Sequence, residues 1–305
     1  MTSTLYWIKA YKYLPAYLLL FILTLTGIKA NAQLFNQDSL QLISRQFAFT
    51  EGPAVDKQGN VFFTDQPNNK IWKYSTEGKL SLFKDNAGRA NGLYFNRAGE
   101  LLACADEKNE IWSINKAGKA TVLLSDVDGK KLNGPNDLWV DGKDGIYFTD
   151  PYYQRDYWTR KKPEIEEQKV YYLPTGKGKK PLAVATDLTK PNGIIGSADG
   201  KYLYVADIER NKTYRFTIGP GGKLSEQKKV IDQGSDGMTL DSQGNIYLTG
   251  KGVFIYNPEG LLIGHIEVKE PWTANVCFGG KGRNELFITA SKAVYKIPMR
   301  VKGIN

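Results

Sequence analysis

The chain has one histidine, two cysteines and three methionines in 305 residues. A single His rules out a multi-His zinc site or a His dyad. Two Cys that stand 173 positions apart rule out a CxxC ligand knuckle. No GxSxG elbow is present, and a lone His leaves Ser and Cys nucleophiles without a conventional base. These absences leave oxygen ligands and carboxylates as the means for any chemistry. Also missing are a long cationic block, a helix-turn-helix and an RNP-like motif, so the formal +9 charge does not point to a nucleic-acid partner.

Part of that charge lies in the first 32 residues. Lys9 and Lys12 precede an apolar run from Leu14 to Ile28, and Ala30-Asn31-Ala32 has the small-x-small form of a signal-peptidase site. The pattern predicts a cleaved signal peptide over residues 1–32 and a periplasmic or secreted protein of 273 residues with no stable membrane anchor. Three Lys and no acid leave with it, so 38 basic residues face 32 acidic ones, a balance of +6. Cys104 and Cys277 sit in the apolar runs LLACAD and NVCFGG, where buried free thiols are expected more than a disulfide.

What is present is a repeat. Six segments begin with a polar residue, run into a strand, turn at Gly and return as a second strand. They open at Glu51, Asn91, Asn136, Asn192, Asp236 and Asn275, with steps of 40, 45, 56, 44 and 39 residues. Two more strand-like stretches follow most of these hairpins, for example KIWKYS and KLSLFK. Four short strands per repeat, with no competing 3.6-residue periodicity, predict an all-β fold: a six-bladed β-propeller with four antiparallel strands per blade, one domain over residues 33–305. The last repeat supplies only three strands. SLQLISRQF, residues 39–47, is expected to pair as its outer strand and close the ring.

The first strand of a propeller blade lines the channel, so the six openers should converge on one rim. Two carboxylates among amide oxygens form a set of hard donors that suits Ca²⁺ or Mg²⁺. Asp65, Asp150 and Asp207 end second strands at the same rim. Turn chemistry predicts a structural role for them, with Asp150 set apart by the insertion that follows it. That insertion, PYYQRDYWTRKKPEIEEQ, carries Tyr152, Tyr153, Arg155, Tyr157, Trp158 and Arg160 and reads either as a lid over the polar ring or as a loop packed on its own blade. His265, in the strand LLIGHIEV, reads as structural.

EGPAVD at Glu51, LNGPNDLWV around Asn136, YFTDPYY, KPNGI at Asn192 and SDGMTLD at Asp236 together resemble the gluconolactonase, regucalcin (senescence marker protein) and luciferin-regenerating enzyme superfamily. The resemblance implies a six-bladed propeller holding one divalent metal in the channel, Ca²⁺ first, with Zn²⁺, Mn²⁺ or Mg²⁺ as alternatives. It implies Glu51, Asn192 and Asp236 as ligands, Asn136 as a fourth ligand or a substrate contact, and Asp236 as the acid/base residue. Its substrate would be a small sugar lactone, and the protein a monomer or dimer. Regucalcin-like members carry an Arg two positions before the Asn matched by Asn136; here that position is Gly134, and Asn91, Asn133 and Tyr152 are the candidates for the missing hydroxyl contacts. Two other readings are carried: hydrolysis of another activated ester or a phosphotriester, as in the related diisopropyl fluorophosphatase, and a calcium-stabilised propeller that binds and does not catalyse.

Overall fold

The computed structural model describes residues 33–304; the expected signal peptide, residues 1–32, lies outside the described residues. Six four-stranded antiparallel sheets follow one another along the chain. Blades I to V run over residues 50–85, 90–124, 138–185, 191–231 and 238–266, and blade VI over 273–298. The fold is the expected six-bladed propeller. The closing strand is where the repeat count put it, although shorter: Gln41–Ser44 pairs antiparallel with Ala293–Pro298, while Gln37–Ser39 forms a single 3-10 turn. Phe47 follows the closing strand and sets its ring edge-on against Phe63 at 5.2 Å and Trp72 at 5.6 Å. The seam between blades VI and I is thereby sealed with apolar surface as well as backbone pairing.

Burial falls from the axis outward. In blade I the strands Thr50–Val55 and Val61–Asp65 are buried throughout, Lys70–Tyr74 is mostly half-buried, and Leu80–Asp85 alternates toward solvent. The inner strands are covered on both faces by neighbouring blades, so they read as nearly continuous apolar runs. The core is accordingly a ring of blade-to-blade interfaces.

Two local devices set the position of each inner strand. At the hairpin end, Asp56, Asp141 and Asp241 accept backbone N–H groups two and four residues on, at 2.7–2.9 Å, closing the turn over a Gly in blades I and V. At the opposite end, β-bulges fall at the openers of blades I, II, IV and VI. A bulge inserts one residue and re-aims the side chain there. It explains why a strand that is otherwise packed between blades can point its first polar residue along the channel.

Cys104 and Cys277 are both free and buried, in blades II and VI. His265 lies on the outer strand of blade V, stacked on Phe254 with its Nε2 bonded to the Lys251 carbonyl.

Candidate active site

Buried threonines in the second strands place the openers. Thr64 donates its hydroxyl to the Asn91 carbonyl at 3.1 Å, Thr149 to that of Asn192 at 2.8 Å, and Thr249 to that of Ala274 at 2.7 Å. Each bond runs from one blade to the next, so the register of a blade is transmitted to its neighbour's rim. A backbone bond from Gly92 N–H to Asn136 O, 2.7 Å, does the same between blades II and III, and one from Gly237 N–H to Ala274 O, 2.8 Å, reinforces the seam between V and VI.

Glu51, Asn192 and Asp236 come together on this rim. Glu51 is buried and accepts the Gly52 N–H at 2.7 Å. Burial, and then the charge of Asp236, push the Glu51 carboxyl well above the usual range. Burial also pushes Asp236 up, to about 6, against hydrogen bonds from Trp272 and Asn192 and the charge of Arg155, which lower it. The two carboxyls face each other closely enough that the charge of Asp236 raises Glu51. Asn192 donates its Nδ2 to the Tyr153 hydroxyl at 3.1 Å, and its Oδ1 is buried with no hydrogen-bond partner. A buried acceptor without a donor is costly unless something outside the protein satisfies it.

That orphan oxygen between two carboxyl groups fits a hard divalent cation. All the donors are oxygens, and a cation would offset the repulsion between the two carboxyls. Among the described residues no three His, Cys, Asp or Glu side chains form a cluster able to hold a metal. Coordination here would therefore draw on amide oxygens and water beside Glu51 and Asp236, which suits Ca²⁺. Asn136 and Asn91 are buried on the same rim.

The sixth opener lies one layer deeper than expected. Thr50 pairs with Asp65 and Thr273 with Ala290 at matching positions, so Ala274 stands where Glu51 does and Asn275 stands where Gly52 does. That second layer holds Gly52, Gly92, Gly193 and Gly237, with side chains only at Asp137 and Asn275. Blades III and VI face each other across the channel, and Asn275 Nδ2 donates to Asp137 Oδ2 at 3.2 Å. This bridge forms a floor under the rim. The glycines are required by close approach: a Cβ on Gly237 would lie 1.9 Å from Asn275 Cγ, and one on Gly92 2.5 Å from Asp137 Oδ1. Burial raises Asp137 to about 7, opposed by its bond from Leu138 N–H.

Below the floor the channel widens into a cavity of about 1140 Å³, opening between the hairpin turns at Arg97, Gly142 and Ser197. It touches Asp137 and Asn275 but not Glu51, Asn192 or Asp236, so size alone would locate the site at the wrong end.

The strand-end aspartates are structural, Asp150 included. Asp65 accepts the N–H groups of Ala48 and Phe49, Asp150 those of Asn133 and Gly134, and Asp207 those of Thr189 and Lys190, at 2.7–3.2 Å. Each ties down the segment that enters its own blade.

The insertion after Asp150 folds over two neighbours at once. Trp158 is buried and donates its indole N–H to the Asp106 carbonyl at 2.8 Å. Arg160 stacks over Trp158 and bonds the Leu132 and Asn133 carbonyls. Asn133, expected to touch substrate, has no accessible surface, and its amide donates to the Glu167 and Asp150 carbonyls. That expectation is corrected: Asn133 anchors the loop. Tyr152 sits within the loop, its hydroxyl bonded to Gln154 and its ring near Arg160. Its neighbour Tyr153 is the tyrosine that reaches the rim. In extended chain successive side chains point oppositely, so one of the pair had to face the channel, and pattern alone does not say which. Trp272, just ahead of blade VI, was also missed; its Nε1 donates to Asp236 Oδ2 at 2.6 Å. Its only sequence signal is an aromatic in a charged loop before a first strand.

The fold and the rim together define a class: a six-bladed propeller whose polar site lies at one mouth of its channel. Residues 49–292 match the SMP-30/Gluconolactonase/LRE-like region, and the chain belongs to that family. It is 28% identical to the gluconolactonase of Zymomonas mobilis, over 87% of this chain and 82% of that one. Among solved structures, a putative gluconolactonase superposes with a TM-score of 0.82 at 28% identity, covering 89% of this chain and 96% of that one. A gluconolactonase from Xanthomonas campestris superposes at 0.79 with 26% identity, covering 85% and 89%.

Proposed function

We propose that this protein hydrolyses a sugar lactone to its hydroxy acid, with a divalent cation, Ca²⁺ foremost, at the rim. Glu51, Asn192 and Asp236 would hold the cation, with Asn136 as a further ligand or a substrate contact. The observation that carries the reading is the partnerless buried Oδ1 of Asn192 beside the Glu51 and Asp236 carboxyls; the gluconolactonase relatives support the substrate class.

When bound, the cation supplies Lewis acidity toward the ester carbonyl and toward water. Asp236 accepts a proton from the attacking water and returns it to the ring oxygen as the acyl C–O bond breaks, so that lactone and water leave as one hydroxy acid. Trp272 holds the Asp236 carboxyl through one oxygen and limits its rotation. Asn91 and Asn136 offer amide groups to the substrate's hydroxyls. The Asp137–Asn275 floor closes the channel, so substrate enters and product leaves by the rim. Such an apparatus suits a strained, activated ester better than an amide, because Ca²⁺ lowers the pKa of water less than Zn²⁺ does.

The test is stripping with chelator, then re-addition of Ca²⁺, Mg²⁺, Mn²⁺ or Zn²⁺ during an assay of acid release from glucono-1,5-lactone. Activity that disappears on chelation and returns with one ion supports the reading; release at the uncatalysed rate under every ion refutes it. The N-terminal 32 residues support a periplasmic or secreted setting, which fractionation of cells expressing the full chain would check.

A further inference from the structure

Arg155 occupies an unusual position in the loop that overhangs the rim. Its Nε donates to Asp106 Oδ2 at 2.9 Å, and Asp106, only 1% exposed, also takes hydrogen bonds from Tyr157 and Gln66. Asp106 directly follows the second strand of blade II, Leu101–Ala105, whereas Arg155 belongs to the insertion of blade III. The bond therefore draws the loop sideways across a seam. A guanidinium has five N–H donors, and fixing Nε on a buried carboxylate leaves the two terminal nitrogens aimed elsewhere. Neither has a hydrogen-bond partner among the described residues, and the side chain stays about a quarter exposed.

Those free donors lie at the working end of the channel. The guanidinium carbon is 5.6 Å from the centroid of the Tyr153 ring, and the Tyr153 hydroxyl is bonded to Asn192. The charge of Arg155 is felt at Asp236, where it lowers the carboxyl's pKa. On the other flank, a side chain at position 134 has no room: a Cβ on Gly134 would meet Trp158 at 3.0 Å and Asp106 at 3.1 Å. The loop has filled that flank with its own indole and supplies a cation from above.

We propose that Arg155 is a specificity-determining residue whose terminal nitrogens bind the hydroxyl oxygens of a polyhydroxylated lactone, and the same oxygens and carboxylate of its aldonate product. Asp106 is then its positioning residue. The proposal rests on the lactonase reading for the name of its ligand. A planar fork with a pinned Nε discriminates in favour of substrates that offer several acceptor oxygens, and gives nothing to a lactone that carries only ring methylenes.

The experiment compares Ca²⁺-loaded wild type, Arg155→Met, Arg155→Lys and Asp106→Asn. Calorimetry measures D-gluconate binding, and kinetics compare glucono-1,5-lactone with unsubstituted δ-valerolactone. Arg155→Met should weaken gluconate binding and raise KM for glucono-1,5-lactone by roughly 10- to 100-fold, the range of a charge-assisted hydrogen-bond pair. Measured well above the pH at which Asp236 titrates, its kcat and its turnover of δ-valerolactone should change less than about twofold. Arg155→Lys should recover part of the binding, and Asp106→Asn should reproduce the loss with the guanidinium still present. Gluconate binding by Arg155→Met as tight as wild type overturns the assignment, as does an equal loss on both lactones, or a wild type that does not bind gluconate. A wild type that binds gluconate through Arg155 but hydrolyses neither lactone sustains the assignment and removes the lactonase reading.

Discussion

Asp207 and Asp236 stand at the same rim, one in blade IV and the other at the mouth of blade V, and their surroundings are opposite. Asp207 has its oxygens filled by the N–H groups of Thr189, Lys190 and Arg210. Asp236 takes the Trp272 indole N–H, is favoured by the Asn192 amide, and otherwise faces Glu51, an electrostatically unfavourable neighbour, while the Asn192 carbonyl oxygen has no donor. A carboxylate satisfied by the backbone holds a loop. One that faces a second carboxyl and an orphan carbonyl oxygen is left requiring a cation or a proton. Asp207 is buried and Asp236 half-buried, and the identity of the partners separates a clamp from a reactive group.

The sharpest break between them should come in catalysis. Asp236→Asn should lower kcat on glucono-1,5-lactone by about 10³-fold, within the usual range for removing a positioned general base, while the melting temperature of the metal-free protein holds or rises as the repulsion with Glu51 is relieved. Steady-state kinetics paired with a melting curve checks both halves. Asp207→Ala should do the reverse. With three backbone N–H groups left without their acceptor, it should cost about 2–4 kcal/mol of stability, read by urea denaturation, with kcat of the folded fraction unchanged.

A smaller effect distinguishes the two through pH. Asp236 is raised to about 6 in the folded protein, so a proton competes with any cation below that pH and the deprotonated site binds as pH rises through it. The increase in melting temperature produced by saturating Ca²⁺ should therefore grow between about pH 5 and pH 7, and vanish in Asp236→Asn. The smallest expected change follows Trp272→Phe. Losing the indole donor removes an interaction that lowers the Asp236 pKa, so the acidic limb of the pH–rate profile should move to higher pH. An unmoved limb would show that the indole does not govern the carboxyl.

Much of this contrast is legible in the amino-acid sequence. The polar opener followed by a strand, a Gly turn and a second strand recurs because each blade solves the same packing problem, and the missing fourth strand of blade VI located its substitute near the N-terminus. The rim residues Glu51, Asn192 and Asp236 were legible for the same reason. Blade VI was read one residue off because Ala274 is apolar and Asn275 has the expected side chain. The second layer was the surer register mark: four of its six positions are Gly, and the exceptions, Asp137 and Asn275, are the pair that plugs the channel. Trp272 and Tyr153 were hidden for a different reason. They meet residues 36 and 39 positions away, and contacts made from loops across blades leave no period in the chain. Asn133 was misread because a polar residue near a motif resembles a ligand contact, whereas its environment, buried under Arg160 and the insertion, is set by the fold.

The central claim, that the acceptor-rich rim holds one divalent cation, is tested most directly by calorimetric titration of Ca²⁺ into chelator-stripped protein. One site per chain is predicted for wild type and for Asp150→Asn, with binding abolished in Glu51→Gln and in Asp236→Asn. No heat of binding in wild type, or undiminished binding in Glu51→Gln, would contradict it.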